Sequence, residues 1–87
     1  SGKESQSIAK ILIKLSKQYQ IFCISHQPQL SSVATQHFVV EKNQGISSVR
    51  LLNKQERIEE IARMISAEDI TQEAKNFAKQ LINNFST

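Results

Sequence analysis

Apolar residues recur along the first twenty positions with a helical step. Ile8, Ile11, Leu12, Leu15 and Tyr19 follow the i, i+3, i+4, i+7, i+11 spacing that gathers side chains on one helical face. The spacing predicts an amphipathic helix over Lys3 to Tyr19. Lys10, Lys14 and Lys17 form a second stripe on the opposite side, which reads as the solvated face, because lysine is a good helix former that keeps its charge in water.

The pattern then changes. Ile21, Phe22, Cys23 and Ile24 run without alternation, are β-branched and aromatic, and end at Ser25 and His26, as in a strand covered on both faces. A helix feeding such a strand predicts a parallel α/β sheet. Pro28 suits a first helical turn, and Leu30, Val33 and Ala34 supply one apolar face, so Pro28 to Ala34 is expected as a short helix. His37 to Lys42 and Ile46 to Leu52 read as two strands joined by Asn43, Gln44 and Gly45, a hairpin whose glycine supplies the left-handed residue.

Asn53 followed by Glu56 has the spacing of a capping box. Ile58, Ile61, Ala62 and Ile65 give the stripe of a helix ending near Ser66. Thr71 can cap a last helix with the face Ala74, Phe77, Ala78, Leu81, Ile82 and Phe85. With 87 residues, no repeat and no linker-like tract, the expectation is a single domain, its α/β part over 1–53 and a helical part over 54–87.

Composition narrows the class. With 39% apolar and 22% charged residues, disorder and fibrous repeats are excluded. The longest apolar runs, Ile11 to Ile13 and Ile21 to Ile24, fall far short of a bilayer span of roughly 20 residues. No signal-peptide pattern opens the chain, and the lone Cys23 gives no internal disulfide, so a cytoplasmic location without membrane partners is expected. The net charge is +3, with Lys3, Lys10, Lys14 and Lys17 against Glu4 in the first twenty residues. From Lys54 onward five basic residues face six acidic ones. The lysine stripe could meet a phosphate backbone, but no aromatic residues interleave with it. The chain opens without methionine, which suggests a piece of something longer.

Few residues carry chemistry. Gly2-Lys3 is not a P-loop, because no glycine stands five residues earlier and Glu4 takes the place of Ser or Thr. His26 follows the expected buried strand, at the sheet end where α/β folds bind ligands, and can offer a ring nitrogen to phosphate or water. The alternative for His26 is a structural residue. His37 has no partner at metal-ligand spacing and reads as structural, and no metal site is expected. Cys23, inside an apolar strand, reads as inert packing.

The order SGKESQSIAKILIKLSKQYQIFCISHQPQLSSVATQHFVVEK, then VRLL, ERIEEIARMIS and ITQEAKNFAKQL, resembles the C-terminal end of RecN, the bacterial SMC-like DNA repair ATPase family. The resemblance covers nearly the whole chain. It implies an α/β fold, the C-terminal lobe of an ABC/SMC-type P-loop ATPase head, in the order helix, strand, short helix, strand, strand, helix, helix. In the family two heads sandwich ATP and magnesium, and the protein acts in recombinational repair of double-strand breaks. Ser1, Gly2 and Lys3 then correspond to the D-loop at the contact between heads, and His26 to the switch histidine, which would contact the γ-phosphate or attacking water. The sequence departs from the family's usual pattern at Ser25, where Thr is common, and at Gln27, where an apolar residue is common.

Walker A, Q-loop, signature motif and Walker B carboxylates do not occur in these residues. The resemblance therefore implies a segment inactive by itself and a parent that is an ATP hydrolase. The implied partners are the remainder of the head, a second head in a homodimer, and DNA, with nucleoid association in a bacterial cytoplasm. The competing reading is a self-standing α/β interaction or nucleic-acid-binding module without catalysis, using its lysine stripe. Another ABC-type head, such as a transporter subunit, fits the two C-terminal helices less well.

Overall fold

Local signals fix most of the elements. In the computed structural model, which describes residues 2–85, the chain forms α1 (Gly2–Leu15), α2 (Pro28–Val33), β1 (Phe38–Asn43), β2 (Ile46–Leu51), α3 (Lys54–Ile65) and α4 (Gln72–Phe85). The capping box forms as its spacing requires: the Glu56 N–H donates to Asn53 Oδ1 at 2.8 Å, and the Asn53 N–H donates to Glu56 Oε1 at 3.0 Å. Thr71 starts α4, its hydroxyl accepting from the Ala74 N–H at 3.0 Å. Pro28 occupies the first turn of α2, where its missing N–H costs nothing.

α3 packs on α4 around Ile58, Ile61, Ala62, Ala74 and Ala78, with Ile65, Ile70 and Ile82 against this centre. The short α2 is the hub, touching α1, α3 and α4. Its Ser32 is buried with the hydroxyl bonded to the Gln29 carbonyl at 2.8 Å. β1 and β2 pair antiparallel, Phe38 opposite Leu51 and Val40 opposite Val49. Gln44 and Gly45 turn the hairpin with φ of 50° and 80°, the doubly left-handed turn that matches strand twist. The Leu52 N–H closes the open end on the His37 carbonyl at 2.9 Å.

Five expectations are corrected. Ile21 to Ile24 is not a strand, no parallel sheet forms among the described residues, and the element order therefore lacks its first strand. Phe22 and Ile24 stand exposed, and so does Cys23, which is not packed inside anything. An apolar run becomes a buried strand only when neighbouring strands take its N–H and C=O groups, and among the described residues the sole sheet is the β1–β2 hairpin. Helix α1 ends at Leu15, short of Tyr19, and its Ile8, Ile11 and Leu15 stripe is exposed. The face of α1 that is covered carries the small residues Ser5 and Ala9, which let α2 approach closely.

Candidate functional site

Two stretches far apart in sequence meet where α1 begins and α2 begins. Gln27 is the N-cap residue of α2, yet its side chain makes no capping bond. It turns back to accept a hydrogen bond from the Ser5 hydroxyl, a side chain that is itself buried. The Gln27 N–H is held by the Ser25 hydroxyl at 3.0 Å, so Ser25 and Gln27 bracket His26 from both sides. On the α1 side, a Cβ added at Gly2 would stand 3.2 Å from Gln29 Nε2, so the absence of a side chain permits this approach. An open groove of about 410 Å³ follows, lined by Gly2, Ser5, Gln27 and Gln29 with Met64 and Phe77 opposite.

His26 is exposed and adjoins Gln27, one of the groove-lining residues. It is not one of the groove-lining residues, and no strand precedes it, so its expected place at the carboxyl end of a parallel sheet is corrected. Gly2 and Lys3 lie in the first turn of α1, Lys3 exposed and its carbonyl accepting from the Ser7 hydroxyl at 3.2 Å. Ser1 lies outside the described residues. The structure thus brings Gly2 beside the stretch that carries His26. Among the described residues no cluster of three or more His, Cys, Asp and Glu could hold a metal ion.

Sequence reasoning missed the residue that ties α2 in place. Arg57, in the first turns of α3, donates through Nη2 to the carbonyls of Ser31, Ser32 and Ala34 at 3.1, 3.0 and 2.6 Å. These are the groups that a short helix leaves unpaired at its end, and a planar guanidinium reaches several of them at once. A lone Arg in a helix beginning KQER carries no signal of this. His37 sits beside it, half-buried, with Nδ1 shielded from solvent and without a hydrogen-bond partner. Burial pushes its imidazole below the ordinary 6.5, the Arg57 charge adds to this, and Glu60 opposes it. The structural reading of His37 fits these surroundings. Arg57 and His37 both line a second cavity of about 690 Å³, between the open end of the hairpin and the helices α3 and α4.

With the geometry in place, comparison with known proteins gives first the class: the chain is similar in sequence to bacterial DNA repair proteins. The particular relatives it is similar to are each named DNA repair protein RecN. The chain is 44% identical over 80 residues to RecN of Helicobacter pylori strain J99, 37% over 87 residues to that of Halalkalibacterium halodurans, and 36% over 86 residues to that of Bacillus subtilis. These matches cover 92%, 95% and 94% of the chain, while the chain spans only about 15% of the length of each relative. The resemblance to RecN therefore holds across nearly all of the chain, an extent consistent with a C-terminal portion. No family model matches.

Proposed function

We propose that this chain is the C-terminal part of a RecN-like, SMC-like DNA repair ATPase, and that it contributes the D-loop and the switch histidine to an ATP site shared between two heads. The observation that carries the reading is the meeting of Gly2 and Ser5 with the Ser25–Gln29 stretch in one groove, because the resemblance assigns these two stretches to the same end of an ATPase head. The Ser25 hydroxyl accepts from the Gln27 N–H, the Gln27 side chain is tied to Ser5, and the imidazole of His26 between them is exposed. A neutral imidazole can accept from a water with one nitrogen and donate to a phosphate oxygen with the other.

The groove offers neither a glycine-rich lysine loop nor an acidic pair, so residues elsewhere in the parent hold the phosphates of ATP and the magnesium ion. This segment is a contributor and not a complete ATPase. Hydrolysis in the parent would drive the repair of double-strand breaks.

The test is His26→Ala in the full-length parent, with ATP affinity and turnover measured separately and Lys42→Ala as control. A group that orders water mainly in the transition state should cost roughly 10²-fold in kcat and little in affinity. Turnover equal to that of the control would refute the assignment.

A further inference from the structure

Gln27 is held at its N–H, its carbonyl and its side chain at once. The N–H donates to the Ser25 hydroxyl at 3.0 Å, the carbonyl accepts from the Ser31 N–H at 3.0 Å, and the side-chain oxygen accepts from the Ser5 hydroxyl. The first two bonds are local. The third spans 22 positions of sequence and is the one that fastens this stretch to a different element, α1. Ser5 is 4% exposed, on the face of α1 that meets α2. Ser7, two positions on and exposed, turns its hydroxyl instead to the Lys3 carbonyl of its own helix at 3.2 Å. A buried hydroxyl that reaches across to another element needs its partner there, because a buried polar group left unpaired is costly.

We infer that Ser5 is a positioning residue for His26, acting through Gln27. The inference rests on the role proposed above for His26. His26 shares a planar peptide with Gln27, so anchoring Gln27 to α1 places the His26 Cα, and the exposed imidazole keeps only its side-chain torsions. Without the Ser5 bond the local turn and α2 persist, but they are free to shift against α1. A group that orders water or a phosphate oxygen is sensitive to such a shift, since a misplacement of ~1 Å can cost on the order of 10²-fold in rate.

The full-length parent supplies two readouts. In the nucleotide-free protein, hydrogen–deuterium exchange read by mass spectrometry over residues 25–31 should quicken by about tenfold in Ser5→Ala, because the Gln27 and Ser31 N–H groups open more readily once the stretch is released. In turnover, Ser5→Ala should lower kcat by roughly tenfold and leave ATP affinity little changed. Gln27→Met, similar in length but without the acceptor, should match it and carries the same test if Ser5→Ala fails to fold. The double variant should lose no more than either single one, as partners in one bond do, and additive losses overturn the inference. In a His26→Ala background Ser5→Ala should have no further effect on kcat, whereas a merely structural serine would still lower it. Unchanged exchange or unchanged kcat in Ser5→Ala, with His26→Ala impaired, overturns this inference alone. Turnover untouched by His26→Ala overturns the role of His26 and this inference with it.

Discussion

At the scale of single residues, the informative pair is His37 and Arg57. Arg57 organises the end of α2 through three carbonyls, and the imidazole of its neighbour His37 is pushed below its ordinary value first by burial and then by the Arg57 charge. The sequence shows His37 as a structural residue at a strand start but says nothing of Arg57, whose partners are backbone groups 23 to 26 positions away. A side chain bonded to distant carbonyls leaves no spacing pattern. His26 is the opposite case: its assignment comes from the similarity of a whole stretch, and only Ser5 and Gln27, which hold its loop, became visible in three dimensions. The pH consequence falls on His37. Its folded value lies below 6.5, so the unfolded chain binds the proton more readily, and stability present above that value is lost as pH falls through the folded value. An NMR titration should place the His37 midpoint below 6.5 and show stability declining as the pH drops past it, with the decline reduced in His37→Gln. A midpoint above 6.5, or an unaltered slope in His37→Gln, would contradict the burial described here.

At the scale of elements, what could be read from sequence is what local interactions decide. The box at Asn53 and Glu56, the Thr71 cap, the proline start of α2 and the glycine turn at Gly45 involve residues within four positions of each other, and each forms. Ile21 to Ile24 failed as a strand because strand formation is a property of neighbours. Its pattern specifies burial on two faces, but the described residues supply no adjacent strand. The stripe of α1 failed in the same way: Ile8, Ile11 and Leu15 make a good helix face, and nothing here lies on it. The capping box gives the element-scale prediction. Asn53→Ala removes the acceptor of the Glu56 N–H and should cost about 1 kcal/mol, while Asn53→Ser or Asn53→Asp should restore most of it. The reciprocal half of the box does titrate: Glu56 has its carboxyl held below the usual range by the Asn53 N–H first and by Arg50 second, so the carboxylate's own contribution is present above about 4.5 and is lost as pH falls through its lowered folded value. Urea denaturation of the three variants at pH 7 is the measurement, and equal midpoints for Asn53→Ala and Asn53→Asp would show the cap to be idle.

At the scale of the whole molecule, apolar residues are abundant and buried ones are few. The centre is built largely from alanines, and Ile61 is the sole large side chain that is fully buried among the described residues, while Ile11, Tyr19, Phe22, Ile24 and the hairpin face meet solvent. A small core of this kind supplies no more than ~3–5 kcal/mol of net stability. Removing Ile61 to Ala typically costs ~2–5 kcal/mol, because the cavity cannot collapse between two packed helices. The isolated chain carrying Ile61→Ala should therefore lose its cooperative thermal transition in far-UV circular dichroism. Ile11→Ala, at a position 58% exposed, should leave the transition of the isolated chain within a few degrees of wild type. In the full-length parent the two positions should converge if other segments cover α1, Ile11→Ala then costing ~1–3 kcal/mol or more. An isolated chain that keeps a sharp transition with Ile61→Ala would show that stability does not rest on the α3–α4 core. Indifference of the parent to Ile11→Ala would show that the α1 stripe faces water in the intact protein as well.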